Sequence, residues 1–349
     1  MYAEGAIMPL ELSRSIFKRY PYINDAFPEL RSRYKDCWPD QCYLSLSKSI
    51  PFLAKQYYLS SNSAEQEGSL ATACYIWNNT KKIYSFDEAL AESLAAQVED
   101  MSDSDSIPAL MLSRLPYPCI YIHAPDTLAK DIDGFFLWLD HKMESKEDAL
   151  RFHYIYKNGT YTIPYELVIR EELTLADIHP APMLIAQDAA AGAYHGNETA
   201  LGLLSGELTN GASVGTFVRD LVLRSIQLVL YLTSATPEIA PAPRKQRPSN
   251  EAEPQKKTST APDDGVVETY SVGVRVGKAL RTIYSHASGG GNAGTGKPRR
   301  AHTRRGHWHR YWTGSKKEPE KRKLEVRWVP PVMVSGSDAG DLATVTPVK

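Results

Sequence analysis

The sequence contains little cysteine and no apolar run that could enter or cross a membrane. Its four cysteines form no CxxC pair, which argues against a disulfide framework or a zinc ribbon. The first residues lack the apolar core of a signal peptide. The most apolar stretch, 217–232, is interrupted by Arg219, Asp220 and Arg224, so it predicts a core helix rather than a membrane span. We therefore expect a cytoplasmic protein with reduced thiols.

Motifs of the common nucleotide-binding and hydrolytic sites are also missing. The glycines of 289–296 are not followed by GK[ST], so they form no P-loop. Ser205 does not sit in a GxSxG elbow. Asp131, Asp133 and Asp140 flank an apolar strand, and we interpret them as turn and edge residues rather than as a metal site. The sequence predicts no cofactor.

The net charge of −1 conceals a strong asymmetry along the chain. Residues 1–240 contain 19 Lys+Arg against 31 Asp+Glu, a net charge of −12, and residues 241–349 contain 21 against 10, a net charge of +11. Such a division suits partners of different kinds. The acidic part favours a basic polypeptide, and the basic part favours nucleic acid or an acidic protein.

Hydrophobic periodicity predicts an α+β protein, with a mainly helical body and a small antiparallel sheet. Residues 11–100 are expected to be helical and to include a helix at 64–82. Ser85 and Glu88 have the spacing of a capping box at the start of another helix.

Short aromatic and β-branched segments follow Pro116 and predict strands at 119–123, 135–140, 152–156 and 161–169. Between the last two, Asn158-Gly159 predicts a hairpin turn. Pro164 would place the last strand at a sheet edge or a bulge, because proline cannot donate to the ladder. We expect the sheet to be built from residues 117–170.

Helices are predicted again at 173–208, in two pieces, and at 213–232. Residues 236–264 are rich in Pro, Ser, Lys and Glu, a composition typical of a disordered linker. The predicted organisation is an acidic α+β body at 1–235, a disordered linker at 236–264, an amphipathic helix at 265–288, a Gly-rich hinge at 289–298, a basic aromatic module at 299–336 and a disordered tail at 337–349.

Residues 297–328 contain the strongest functional signal, with 12 Lys+Arg, three Glu, three His and three of the six Trp. Interleaved cations and aromatic residues favour contact with single-stranded RNA, because cations bind phosphates and rings stack on unpaired bases. The alternative is a solvated module whose tryptophans pack against the body. The candidate RNA- or partner-binding residues are Arg299, Arg300, His302, Arg304, Arg305, His307, Trp308, His309, Arg310, Tyr311, Trp312, Arg327 and Trp328.

The three histidines of this module permit two further hypotheses. On a strand, His307 and His309 would share a face and could bind zinc, but no cysteine or carboxylate nearby has the spacing of a zinc ligand. Alternatively, two histidines could act as general base and general acid in metal-independent RNA cleavage. We favour binding over either of these, and we name no catalytic residue.

The module resembles the C-terminal signature of the second type V-A anti-CRISPR family. The matching residues are His302, Arg304, Arg305, Gly306, His307, Trp308, His309, Tyr311, Trp312 and Gly314, followed by Val326, Arg327, Trp328 and Pro330. The stretches 75–87, 115–122 and 276–284 are also similar to parts of that family. Ala301 departs from the pattern, because proline is expected there.

The resemblance implies a phage or plasmid protein that acts in the cytoplasm of the bacterial host. Its partners would be the nascent N-terminal polypeptide of the type V-A CRISPR nuclease and the mRNA or ribosome that produces it. Recognition of that polypeptide would lead to loss of the mRNA. We interpret the protein as a non-catalytic adaptor, and an intrinsic RNase using His307 or His309 or a plain protein-interaction inhibitor remain as alternatives.

Overall fold

A computed structural model describes residues 8–157, 159, 162–170, 173–178, 214–242, 266–288, 302–304, 306–317 and 322–334. Its helices are α1 (Met8–Arg19), α2 (Ile23–Tyr34), α3 (Leu46–Tyr57), α4 (Ser61–Thr80), α5 (Glu88–Ala95), α6 (Ala109–Leu112), α7 (Val214–Leu232) and α8 (Val274–Ser288). Short 3₁₀ segments occupy Lys35–Cys37, Ala96–Asp100 and Leu175–Asp177. Within these residues no helix is long and apolar enough to cross a membrane.

The strands fall into one large sheet and three small pairs. They are β1 (Lys82–Phe86), β2 (Ser106–Ile107), β3 (Cys119–His123), β4 (Ile132–Lys142), β5 (Glu147–Tyr156), β6 (Thr162–Val168), β7 (Leu173–Thr174), β8 (Ile239–Pro241), β9 (Glu268–Val272), β10 (His302–Arg304), β11 (His307–Thr313), β12 (Lys323–Val329) and β13 (Val332–Val334).

The large sheet has seven strands in the order β6-β5-β4-β3-β1-β9-β8. Strands β3 to β6 pair antiparallel, as the sequence predicts, but β1 pairs parallel to both β3 and β9. The sheet is therefore mixed and larger than predicted, because parallel partners come from segments far apart in the chain. The α+β fold class is confirmed.

Helices and the C-terminal strands cover the two faces of this sheet. On one face, α1 to α4 enclose a core that contains Trp77, Phe136 and Trp138, all fully buried. On the other face, α5 and α7 pack over a second core, and Val326 and Trp328 of β12 belong to it. The C-terminal module thus completes one layer of the fold.

The elements between 119 and 169 agree closely with the sequence prediction. Strand β3 occupies the predicted residues, and β5 and β6 form an antiparallel hairpin with Gly159 at φ +66° in its turn. Such a positive φ is easily adopted by glycine. Strand β6 lies at the edge of the sheet, as Pro164 predicts.

Two predictions for the N-terminal half are wrong. Residues 82–86 form a strand inside a region predicted to be helical, and Ser85 lies in that strand. Helix α5 is capped instead by Asp87, whose side chain accepts a hydrogen bond from the backbone N–H of Ala89. A strand of five residues between two helices is too short to show a clear hydrophobic periodicity. Its pairing with neighbouring strands of the sheet therefore determines its structure.

The aspartates interpreted as turn and edge residues have different environments. Asp131 lies in a turn at φ +65°, consistent with the prediction. Asp140 instead is buried within β4, where it accepts hydrogen bonds from the Arg151 guanidinium at 3.0 Å and the Leu46 backbone N–H at 3.1 Å. It joins α3 to the sheet and is not an edge residue.

Three assignments after residue 170 are corrected in part. Residues 173–178 form β7 and a 3₁₀ turn rather than a helix, and 179–208 lie outside the described residues. Ile239–Pro241 forms an edge strand within the predicted linker, and β9 precedes the predicted amphipathic helix. The rest of the linker, from 243 onward, the hinge and the tail also lie outside the described residues.

Helix α8 packs closely on the start of α5. Its Arg281 guanidinium donates two hydrogen bonds to the Asp87 carboxylate, at 2.8 and 3.0 Å. A Cβ placed on Gly277 would lie 1.8 Å from Asp87 Oδ1, so only glycine fits there without movement. Helix α8 also contacts β10 and β13 of the C-terminal module.

We expect Gly277→Ala to lower the free energy of unfolding by about 1–2 kcal/mol. Overpacking costs about 1–3 kcal/mol, and the higher helix propensity of alanine offsets up to about 1 kcal/mol of it. Urea denaturation measures the change, with the exposed Lys278→Ala on the same helix as control. A denaturation midpoint equal to that of the wild type would contradict the close contact.

Candidate nucleic-acid interface

Strands β11 and β12 form a two-stranded antiparallel ribbon that separates the predicted site residues between two faces. Register pairs Trp308 with Trp328 and His309 with Arg327. Side chains alternate along a strand, so the two tryptophans share the face toward the body. His307, His309 and Arg327 lie on the opposite, outward face.

The inward face anchors the ribbon to α7. The Trp308 indole N–H donates to Gln227 Oε1 at 2.7 Å. Trp328 is only 6% exposed, and its ring meets Tyr231 edge-on, with 6.0 Å between ring centroids. The alternative interpretation, in which tryptophans of the module pack against the body, therefore describes Trp328 and the buried part of Trp308.

The outward face is polar and carries a pair of stacked rings. The His309 and Tyr311 rings lie 6.0 Å apart with an interplanar angle of 18°. The Tyr311 hydroxyl donates to Glu325 across the ribbon at 3.4 Å. Partial burial and then the Glu325 carboxylate raise the pKa of Tyr311, so its phenol is neutral at physiological pH.

Trp312 differs from the other two tryptophans of the module. It points to the same side as Trp308 but lies farther along the ribbon, beyond the body, and is 57% exposed. The Arg322 guanidinium lies over its ring at 5.6 Å from the centroid. An exposed indole beside a cation can accept a stacked base, so Trp312 is the best placed of the predicted stacking residues.

The cations of the module have no carboxylate partners among the described residues. Every ion pair found there lies outside 302–334, for example Arg19–Glu67, Arg151–Asp140 and Arg275–Glu238. The described part of the module has a single acidic residue, Glu325, and its cations are Arg304, Arg310, Lys316, Lys317, Arg322, Lys323 and Arg327. Several cations of the body pair with carboxylates, whereas none of the described cations of the module does.

Four of the predicted site residues cannot be placed fully. Arg299, Arg300 and Arg305 lie outside the described residues, and only the backbone of His302 is described, in β10. Sequence reasoning also missed Gln227 and Ser106, which hold Trp308 and Arg310 to the body. Both are polar residues distant in sequence from the module, and no local pattern marks them.

Within the described part of the chain, His307 and His309 form no recognisable catalytic or metal arrangement. Among the described residues no carboxylate is hydrogen-bonded to His307 or His309, although the two share a face as predicted. The same residues contain no group of three His, Cys, Asp or Glu side chains able to hold a metal ion. A histidine that acts as a general base is usually oriented by a third group, such as a hydrogen-bonded carboxylate.

Comparisons with known proteins agree with this architecture. No curated relative is similar enough in sequence to match. Among solved structures, the crystal structure of AcrVA2 aligns with a TM-score of 0.58 and 18% identity, covering 94% of this chain and 99% of that chain. At that identity the likeness concerns the fold.

A family model gives the more specific result. The model described as AcrVA2-like, the anti-CRISPR type V subtype A2 family, matches residues 84–336. The match begins in β1, includes the large sheet and ends two residues after β13, so it contains the whole ribbon. The chain therefore belongs to the anti-CRISPR type V subtype A2 family.

Proposed function

We propose that this anti-CRISPR protein lowers production of the type V-A CRISPR nuclease by recognising its N-terminal polypeptide during synthesis and causing loss of its mRNA. In this proposal the protein is a non-catalytic adaptor to RNA or the ribosome and acts in the cytoplasm of the bacterial host. Family membership supports the nuclease as target. The cations of the ribbon, which have no carboxylate partner among the described residues, are the observation that carries the RNA part.

The charge pattern supports an RNA partner for the module. Cations that already pair with carboxylates must give up those contacts before they bind phosphate, and the module cations have no such described contacts. Phosphate contacts contribute affinity that is largely independent of sequence. The ribbon also presents Trp312 to solvent for stacking. This combination of free cations and an exposed indole suits a single strand.

The body carries features that suit a basic peptide. Glu88 and Glu92 are exposed on α5, and Glu99 is exposed in the 3₁₀ segment after it. None of the three forms an ion pair with a described residue. Such carboxylates attract a basic segment, and their attraction is screened over about 10 Å at 0.1 M salt. We therefore place the peptide-binding surface on the body and the RNA-binding surface on the ribbon.

A reporter experiment separates recognition of the peptide from recognition of the RNA. The first codons of the target nuclease are fused to a reporter gene and its mRNA is quantified with and without this protein. Synonymous recoding should preserve silencing, because the peptide is unchanged. A compensated frameshift that leaves almost the same RNA should abolish it. Silencing that follows the RNA sequence instead of the peptide would refute the proposal.

Purified protein incubated with labelled target mRNA distinguishes an adaptor from an RNase. We expect the RNA to remain intact without cell extract, and His307→Ala or His309→Ala to retain silencing. An RNase that uses either histidine as general base would lose roughly 10²–10⁴-fold in rate on substitution. Unchanged mRNA levels in cells, together with reduced nuclease activity, would favour the plain interaction inhibitor.

A further inference from the structure

A cleft of about 630 Å³ separates the ribbon from the body. Its volume lies in the usual range of small-ligand sites, about 300–1,000 Å³. The body contributes residues of the segment 97–106, and the ribbon contributes its inward edge together with β10. The lining residues used below are Gln97, Met101, Ser106, Arg304, Trp308 and Arg310.

The ribbon wall of the cleft is cationic. Arg304 is exposed and has no described ion-pair partner. Arg310 reaches across to the body, where its guanidinium donates to Ser106 Oγ at 2.6 Å and also to the Ser106 carbonyl oxygen. These bonds hold the guanidinium at the cleft without neutralising its charge.

Trp308 and Met101 line the cleft, and the same buried side chain of α7 contacts both. The buried Gln227 accepts from the Trp308 indole N–H and lies with its amide nitrogen 3.5 Å from the Met101 sulfur. One side chain, 1% exposed, thus fixes both an aromatic ring and a thioether beneath the cationic wall. Gln97 closes the far side, where its amide donates to the Ser93 carbonyl at 3.0 Å.

We propose that this cleft binds one unpaired nucleotide of a single-stranded RNA. The phosphate contacts Arg304 and Arg310, and the base lies against Trp308 and Met101. This inference rests on the RNA-binding part of the proposed function and specifies where the strand enters the module. The body side of the cleft contributes one carboxylate, Asp105, against Arg304 and Arg310 on the ribbon side, so the cleft favours a phosphate over a basic peptide. From the cleft the strand continues along the inward edge of the ribbon to Trp312, so the outward face is not its path.

Binding of a labelled 12-nucleotide single-stranded RNA to the full chain, measured by fluorescence anisotropy, tests the site. Arg304→Gln should weaken binding roughly threefold to fivefold at about 0.15 M salt, the loss expected for one phosphate contact. Arg33→Gln removes the same charge from α2, on the other face of the large sheet, and should change binding by less than about twofold. Arg327→Gln removes it from the outward face of the ribbon and tests the competing path.

A second variant tests the cavity independently of charge. Gln97→Phe fills the cleft and leaves the net charge unchanged, so it should weaken binding about 10-fold if a base enters. Thermal melting verifies that the variant is folded. Photocrosslinking of the wild type, followed by mass spectrometry, should join RNA to the peptides that contain Met101 and Trp308.

The outcomes separate this inference from the proposed function. If Arg327→Gln weakens binding while Arg304→Gln and Gln97→Phe do not, the RNA lies on the outward face. The cleft is then excluded and the adaptor function stands. If a basic peptide occupies the cleft and RNA does not, this inference is also overturned. If the folded protein binds no RNA, the RNA part of the proposed function fails as well.

Discussion

Trp328→Ala should destabilise the protein by about 3–5 kcal/mol, the cost of removing a large aromatic side chain from a packed core. Trp328 is 6% exposed and contacts the Tyr231 ring of α7. Its register partner Trp308 is hydrogen-bonded to the same helix. The substitution therefore leaves a cavity between ribbon and body. Urea denaturation followed by circular dichroism measures the loss.

Two companion variants define what that loss means. Trp312→Ala removes the same side chain from an exposed position and should change stability by no more than about 0.5 kcal/mol. Trp328→Phe should lose less than Trp328→Ala, because it retains a ring in the cavity and the Trp328 indole N–H has no hydrogen-bond partner among the described residues. Equal stability of Trp328→Ala and Trp312→Ala would show that the ribbon does not pack on α7.

Functional assays of Trp328→Ala cannot test RNA contact, because the substitution also destabilises the protein. Trp328 belongs to the family signature and was among the residues expected to contact RNA or a partner. Loss of silencing in Trp328→Ala would reflect an undocked ribbon and would carry no information on stacking. Trp312 and the cleft residues are the positions where RNA contact can be tested without unfolding the module.

Local sequence patterns predicted the elements that are defined by their own residues. The helical periodicity of residues 213–232 and the hairpin turn predicted at Asn158-Gly159 depend only on residues a few positions apart. Strand β1 was missed, because its identity comes from pairing with β3 and with β9, almost 190 residues away along the chain. The residues of a five-residue segment alone rarely predict a strand that depends on such tertiary pairing.

The candidate site was located from the sequence, but its faces were not. Composition identified the module, whereas the alternation of β11 decides that Trp308 points inward and His309 outward. The sequence predicted that His307 and His309 share one face of a strand. It did not predict which face packs on the body, because this depends on Gln227 and Tyr231 of α7, which contact the ribbon.

The second large effect is expected from the positive charge of the ribbon. Replacing Arg304, Arg305 and Arg310 together by Gln should weaken RNA association about 10- to 100-fold at about 0.15 M salt. The slope of log affinity against log salt concentration should flatten by roughly 0.7 per lost phosphate contact, about 2 in all. Anisotropy titrations with the 12-nucleotide RNA at several salt concentrations give both quantities. If the protein is the proposed adaptor, reporter silencing should fall in parallel, because an adaptor must hold RNA to act on it.

A matched triple variant controls for net charge. Arg14, Arg33 and Arg275 lie outside the module and each pairs with a carboxylate, so replacing them by Gln removes three charges from cations that are already neutralised locally. The salt slope of this variant should equal that of the wild type within about 0.5. A slope that flattens equally in both triple variants would mean that net charge, and not the ribbon, attracts RNA.

Trp312→Ala completes the comparison, because it changes stacking and leaves charge intact. If a base stacks on the exposed indole, the substitution should cost about 1–3 kcal/mol of binding free energy. The salt slope should stay at the wild-type value, since no phosphate contact is lost. The arginine variants and the tryptophan variant thus change different observables. If Trp312→Ala binds RNA as tightly as the wild type, the strand does not reach the end of the ribbon, and its aromatic contact is confined to Trp308 in the cleft.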